Sequence, residues 1–217
     1  MKINNNLGHL RKSYDKGELS DDLKKNAPME LFSDWFKAAE AHPAIEEANA
    51  MSIVTLGQDE FPKSRVVLLK QLTDAGFVFY TNYNSEKGKS MMAYPKVGIS
   101  FFWPALERQV IIKGIAEKVA PEASDAYFSS RPIGSQLGAI ASKQSEVIAS
   151  REELETRLAT LKEKYQNEDP KRPAYWGGFL VKPQQIEFWQ GRPNRLHDRL
   201  VFTLMADKQW EAKRLSP

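Results

Sequence analysis

Cysteine is absent from this chain of 217 residues, which excludes disulfides, a thiolate metal site and a cysteine nucleophile. Histidine is scarce: His9, His42 and His197 are scattered, without the spacing of metal ligands, so no metal site is expected. Neither sign of charge dominates, with 31 Lys and Arg against 28 Asp and Glu for a formal net charge of +3. General nucleic-acid binding normally shows a concentrated basic surplus, so no nucleic-acid partner is expected. No apolar run is long enough to span a membrane, and Met1 to Asn6 lack the apolar core of a signal peptide. The expectation is a cytoplasmic protein with no membrane partner. Glycine never falls in a dinucleotide-binding fingerprint, which argues against a Rossmann domain. Gly88-Lys89-Ser90 imitates the end of a P-loop, but the first glycine of that motif would sit at position 83, where this chain has Tyr83.

What is present describes an ordinary globular chain, 41% hydrophobic and 27% charged, long enough for a substantial core. The first 27 residues are polar and mixed in charge, and are expected to form a mobile segment ahead of a single domain over residues 28–217. Pro28 opens an amphipathic helix with Leu31, Phe32, Trp35, Phe36 and Ala39 on one stripe. Strands are expected at Met51 to Leu56, Ser64 to Lys70 and Phe77 to Thr81. In a regular strand Arg65 and Lys70, five apart, point to opposite faces unless a bulge re-aims one of them. Ser85 caps a helix start with lysines nearby, a reasonable seat for a phosphate. Val97 to Trp103 and Arg108 to Val119 read as two strands joined at Pro104, and Pro121 begins a short helix that ends at Pro132. Ser150 and Glu153 have capping-box spacing for a helix to about Gln166, with Leu154, Leu158, Leu161 and Tyr165 as its buried stripe. Trp176 to Val181, Ile186 to Trp189, Arg199 to Leu204 and Trp210 to Leu215 complete about eight strands. Strands in series with few crossover helices imply an antiparallel barrel or sandwich, mainly β with flanking helices.

Between two of those strands lies Gln190-Gly191-Arg192-Pro193-Asn194-Arg195-Leu196-His197-Asp198-Arg199. It is either a solvated hairpin loop or a rigidly mounted seat for a planar anionic ligand. Other notable side chains are spread over separate segments, and taken singly each has a purely structural reading. Tyr127 and Arg131 make a helix surface pair, Trp189 a core plug and Gln109 a strand-edge residue.

Taken jointly, the motifs carry more. Arg-Val-Val-Leu-Leu-Lys at 65–70, Phe-Tyr-Thr-Asn at 79–82, Glu-Arg-Gln-Val at 107–110, Ser-Arg-Pro at 130–132 and Ser-Lys-Gln-Ser at 142–145 occur in order. Trp-Gly-Gly-Phe at 176–179, Gln-Ile-Glu-Phe-Trp-Gln-Gly at 185–191, Arg-Leu-His-Asp-Arg at 195–199 and the ending Arg-Leu-Ser-Pro complete the series. From about Leu31 to Pro217 the chain closely resembles the pyridoxine (pyridoxamine) 5′-phosphate oxidase family. The resemblance implies an FMN-binding split β-barrel of antiparallel, Greek-key type that forms a homodimer with FMN at the subunit interface. It implies oxidation of pyridoxine or pyridoxamine 5′-phosphate to pyridoxal 5′-phosphate, with O2 giving H2O2 and the amine substrate releasing ammonia.

Carried over by position, Arg65, Tyr80, Thr81, Lys87, Gln109, Gln144, Ser145, Trp189 and Arg199 resemble FMN ligands, and Val66, Val67, Leu68, Leu69 and Lys70 lend backbone contacts. Lys70, Tyr127, Arg131 and Ser135 resemble the cradle of the substrate phosphate. Arg195 and His197 resemble the catalytic groups over the pyridine ring and its 3-oxygen, and Arg11 with Tyr14 matches an N-terminal motif that closes over the substrate. One position departs: the family has Arg-Lys after the serine at 85, whereas this chain has Glu86-Lys87. The Glu86 carboxylate is expected to turn to solvent, with Lys89 supplying charge and flavin affinity reduced. The competing expectations are a split-barrel flavin reductase, a pyridoxal-phosphate-binding paralogue without oxidase activity, and a basic module using the 192–199 loop on nucleic acid.

Overall fold

The computed structural model describes residues 6–25 and 27–217, and divides into two compact units. The chain shuttles between them: the first unit comprises Met1–Ala48, Phe101–Ile111 and Gln185–Pro217, the second Asn49–Ser100 and Ile112–Gln184. The N-terminal part of the first unit that falls on residues 1–5, together with residue 26, lies outside the described residues.

In the first unit, helix α1 (Pro28–Glu40) starts on a proline at its first turn, where the missing N–H costs nothing. Its stripe of Leu31, Phe32, Trp35 and Ala39 is buried, and Phe36 is half-buried. Phe32 meets Phe101 at 5.0 Å between ring centroids, and Trp35 stands edge-on to Phe188 at 5.2 Å. Trp103 donates its indole N–H to the Ala48 carbonyl at 3.0 Å, so its polar atom is satisfied inside the core. Two antiparallel strands close this unit, β8 (Asp198–Leu204) and β9 (Trp210–Leu215).

The second unit holds β1 (Ala50–Leu56), β2 (Pro62–Leu68), β3 (Gln71–Thr73) and β4 (Gly76–Asn82). It also holds helices α2 (Glu86–Ala93), α3 (Pro121–Ser130), α4 (Ile133–Ala141) and α5 (Arg151–Lys164). Strands β5 (Lys96–Trp103), β6 (Arg108–Lys118) and β7 (Trp176–Gln190) run through both units. The strand order is β2-β1-β5-β6-β7-β4-β3, with β8 on β7 and β9 on β8. The turn between β3 and β4 requires glycine: Gly76 has φ +141°, and a Cβ there would fall 2.1 Å from the Val181 carbonyl oxygen.

Several elements depart from the sequence expectation. The strand expected over 64–70 stops at Leu68: Leu69 N–H still donates to Asn49 O in the β1 register, but Lys70 N–H turns to Val78 O, both at 2.8 Å. Alternation therefore does not govern Lys70. The two strands expected at 176–181 and 186–189 are one, β7, which pairs with β4 over Trp176 to Val181 and with β8 over Gln185 to Gln190. Pro183, which has no N–H to give a ladder, falls where the partner changes. Ile133 to Ala141, read only as the sequel to Pro132, form a helix. The leucine stripe of α5 is half-exposed rather than buried, and Ser150 makes no side-chain cap; the Ala149 amide donates to the Glu153 carboxylate instead.

Candidate functional site

In the second unit a cleft of about 360 Å³ is walled by β2, the chain at Lys70, β4, α2, α3 and the segment after α4. Strand β2 contributes Val66, Val67 and Leu68, and it is an end strand of the sheet. Half of an end strand's backbone groups have no ladder partner, which makes them available to a ligand. Val66 is a valine left two-thirds exposed on that edge, an apolar surface suited to a flat ring.

Lys87 enters the cleft from the first turn of α2. Ser85 caps this helix by accepting from Gly88 N–H at 3.2 Å, and Ser145 Oγ accepts from Glu86 N–H at 3.3 Å. The Lys87 side chain is buried, and among the described residues its ammonium meets the neutral oxygens of Thr81 at 3.4 Å and Gln144 at 3.2 Å. Burial pushes its pKa below the ordinary lysine value, the nearby Arg65 guanidinium lowers it further, and Glu86 offsets part of this. Glu86 itself points outward, its carboxylate 2.5 Å from the exposed Lys63 ammonium. The turn to solvent expected for Glu86 is what the chain shows. Arg65 does not wall the cleft; it donates to Thr55 Oγ1 and Lys63 O, each at 2.6 Å.

A second cation, Arg131, is mounted on a different element. Tyr80 and Tyr127 stack at 3.8 Å, Trp176 continues the stack 5.6 Å from Tyr80, and the Arg131 guanidinium lies 4.7 Å over the Trp176 ring. The corner that presents Arg131 is fixed by Gln136, whose side-chain amide donates to Arg131 O at 2.8 Å and Ser129 O at 3.3 Å. Arg131 Nη1 is buried with no hydrogen-bond partner, and burial lowers the guanidinium pKa. A buried charged donor without an acceptor is costly unless a ligand supplies one.

The first unit has its own pocket, of about 520 Å³, between the 191–197 loop and the N-terminal segment. Trp189 is the penultimate residue of β7, and its ring lies 4.8 Å from that of His197 and 5.8 Å from that of Tyr14, with Tyr14 and His197 5.5 Å apart. His197 Nδ1 accepts from Arg192 N–H at 3.1 Å, so a neutral ring carries its proton on Nε2 as a donor. Asn194 and Arg195 both have positive φ, 56° and 62°. Two consecutive non-glycine residues in the left-handed region store strain of about 1–3 kcal/mol each and recur where a loop aims a functional group. Arg199 pairs across β7–β8 with Trp189 and donates to Glu187 at 2.7 Å and Ser216 O at 2.9 Å. The bond to Glu187 raises its pKa, burial opposing.

Comparison with known proteins fits this arrangement to a family. The model of pyridoxamine 5′-phosphate oxidase matches residues 38–165, and that of the pyridoxine 5′-phosphate oxidase C-terminal dimerisation region matches 176–217. The chain belongs to the pyridoxamine 5′-phosphate oxidase family. It is 54% identical to the pyridoxine/pyridoxamine 5′-phosphate oxidase of Flavobacterium psychrophilum, over 97% of this chain and 99% of that one. Identity to the enzyme of the same name from Flavobacterium johnsoniae is 55%, over 98% and 99%. Among solved structures, PhzG from Burkholderia lata in complex with tetrahydrophenazine-1-carboxylic acid superposes with a TM-score of 0.86 at 25% identity, covering 95% of this chain and all of that one. An FMN-binding protein related to pyridoxamine 5′-phosphate oxidase from Nostoc punctiforme gives 0.70 at 13% identity, covering 89% and 100%. The split-barrel fold class expected from the motifs is therefore the right one.

Within this member of the oxidase family, ten of the residues singled out from sequence share the cleft wall: Val66, Val67, Leu68, Lys70, Tyr80, Thr81, Lys87, Tyr127, Arg131 and Gln144. Five others, Arg11, Tyr14, Trp189, Arg195 and His197, line the pocket of the first unit. Arg65, Leu69, Ser135 and Ser145 belong to the second unit without walling the cleft, and Gln109 and Arg199 belong to the first without lining its pocket. Sequence reasoning missed Trp176, Gln136 and Glu107. Trp176 stood in a quoted motif, but its stacking under Arg131 depends on a helix more than forty residues away in the chain.

Proposed function

We propose that this protein oxidises pyridoxamine 5′-phosphate or pyridoxine 5′-phosphate to pyridoxal 5′-phosphate, using FMN and passing the electrons to O2. The observation that carries this is the pair of cationic mounts in one cleft: Lys87 among neutral oxygens, and Arg131 with a buried Nη1 lacking an acceptor. Both surroundings suit an anion, and the proposed reaction brings two phosphate dianions, one on the cofactor and one on the substrate. The donor set therefore fits FMN and a phosphorylated substrate.

In this reading Lys87, Thr81, Gln144, Ser145 and Arg65 hold the FMN phosphate, and Tyr80, Gln109, Trp189, Arg199 and the 66–70 backbone complete the flavin seat. Lys70, Tyr127, Arg131 and Ser135 hold the substrate phosphate. Bound FMN supplies the two-electron acceptor, and its reoxidation by O2 yields H2O2. The chain's own contribution is orientation. The Arg195 guanidinium, aimed by its left-handed backbone, presses the pyridine ring in place, and His197 Nε2–H donates to the ring 3-oxygen. Arg11 and Tyr14 close over the substrate and help hold it in place. For the amine substrate, water then takes the place of nitrogen at C4′ and ammonia leaves.

The active form is proposed to be a homodimer with FMN at the subunit interface, a reading supported by the dimerisation-region match over 176–217. The reaction is proposed to run in the cytoplasm, where a phosphorylated substrate made there would be retained, since its dianion does not cross a bilayer unaided. A phenazine-type substrate, suggested by the PhzG likeness, is less favoured because identity there is 25% against 54–55% to the named oxidases. The test is direct. Purified protein should be yellow with stoichiometric FMN and should consume O2 on addition of pyridoxamine or pyridoxine 5′-phosphate. A yellow protein inert toward both would leave a binding paralogue, and a colourless one would end the flavin reading.

A further inference from the structure

Glu107 is a buried carboxylate that no ligand assignment uses. It is 1% exposed, sits at the end of the turn between β5 and β6, and has φ 56°. Its main chain and its side chain face different parts of the first unit. The Glu107 carbonyl accepts from Gly191 N–H at 2.8 Å and from the Gln190 side-chain amide at 3.3 Å, which fixes the base of the loop that carries Arg195 and His197. The carboxylate Oε2 accepts from Asp15 N–H at 2.8 Å and Lys16 N–H at 3.1 Å. Oε1 makes an ion pair with Lys12 at 3.1 Å but no aligned hydrogen bond. Lys16 reinforces the attachment by donating its ammonium to Ala105 O at 2.6 Å.

Between these two anchor points lies Tyr14. A Cβ on Gly191 would fall 2.8 Å from Tyr14 Cβ, so only glycine lets the segment lie against the loop. Tyr14 is edge-on to both Trp189 and His197. Burial by itself would push the Glu107 pKa up, but the Lys16 and Asp15 amides and the Lys12 ammonium outweigh it and hold it below the ordinary carboxylate value.

Resting on the substrate pocket described under the proposed function, we propose that Glu107 is a positioning residue: a latch that holds residues 12–16 against the 191–197 loop, so that Tyr14 forms a wall of the substrate pocket. Its carboxylate acts through the strap and touches neither cofactor nor substrate. Two separable grips follow from the geometry, a neutral one on two backbone amides and an ionic one on Lys12.

The experiment measures two things on the FMN-loaded full-length protein: hydrogen exchange across residues 10–20, and kcat with KM for pyridoxamine 5′-phosphate. Glu107→Ala is expected to speed exchange in this segment and to raise KM about tenfold while kcat stays within about twofold, the pattern of lost positioning. Glu107→Gln keeps an acceptor for the amides but loses the ion pair, and should restore part of both. Lys12→Met should match Glu107→Gln, and the double variant should be no worse than either alone. Unchanged exchange and unchanged KM in Glu107→Ala would overturn the latch. If Glu107→Ala fails to fold, the Glu107→Gln and Lys12→Met pair decides: equal, non-additive effects on exchange uphold it, and additive effects or none remove it. A wild-type protein inert toward both phosphates would end the oxidase reading, while the exchange measurement would still judge the latch.

Discussion

Replacing Arg131 with alanine separates a phosphate seat from a structural prop. In the ligand-free protein the guanidinium gains from lying 4.7 Å over Trp176, a contact worth about 0.5–2 kcal/mol. Against this stands Nη1, buried without an acceptor, at a cost of about 1–3 kcal/mol. The two nearly cancel, so Arg131→Ala should change the unfolding free energy by no more than about 1 kcal/mol. Binding is another matter. Once a phosphate oxygen meets Nη1, the charge-assisted bond contributes about 1.5–3 kcal/mol, so its loss weakens a phosphorylated ligand roughly 10- to 150-fold. Isothermal titration with pyridoxal 5′-phosphate and with pyridoxal, on wild type and variant, isolates the term. The variant should lose affinity for the phosphate ester and keep its affinity for the alcohol, with FMN content unchanged. Equal loss for both ligands, or destabilisation beyond about 3 kcal/mol, would show that Arg131 holds the pocket's shape and not the phosphate.

Lys87→Met should abolish most FMN retention, read from the flavin absorbance of purified protein, while the flavin-free chain is at least as stable as wild type, since burial disfavours the ammonium. The same group gives a pH dependence. Its pKa lies below the ordinary lysine value before binding, and a phosphate dianion raises it, so FMN affinity should fall as alkaline pH rises through that depressed value. Lys87→Met should flatten the profile, and a wild-type affinity independent of alkaline pH would disprove the link. Arg195→Leu should keep FMN bound and cut turnover, checked by single-turnover flavin reduction; unchanged turnover would remove Arg195 from the mechanism. Phe32→Ala empties a fully buried ring site packed on Phe101 and should cost about 3–5 kcal/mol in denaturant unfolding. A loss under about 1 kcal/mol would mean that the α1 face is not core packing.

Much of the frame was written locally. Pro28 and the Leu31–Ala39 stripe specify α1 because helix initiation and amphipathic period are short-range properties. Ser85 marks the start of α2 for the same reason, and its cap is formed. From motifs Lys87 was named as an FMN ligand and Arg131 as part of the substrate phosphate cradle, and both wall one cleft. Helix α4 escaped notice because it is short and carries two glycines, although Ile133, Leu137, Ile140 and Ala141 fall at helical spacing. The α5 stripe misled in the opposite direction: its period is helical, but periodicity cannot tell a buried face from one left half-exposed.

Tertiary structure decided the rest. Strand β7 has β4 as partner over Trp176 to Val181 and β8 over Gln185 to Gln190, and Pro183 falls between the two, a placement that depends on partners far along the chain. The exit that frees Lys70 from strand alternation is marked by its amide turning from the β1 side to the Val78 carbonyl. Glu107 shows the division most plainly. In sequence it is one of 28 acidic residues; in the folded chain its carboxylate is fixed by amides 91 and 92 positions away. Sequence determined most of the helices, most of the strands and the ligand-type side chains, because propensity, capping and period act over a few residues. Which of those side chains meet, and what holds them there, is a matter of long-range hydrogen bonds and burial that only the fold supplies.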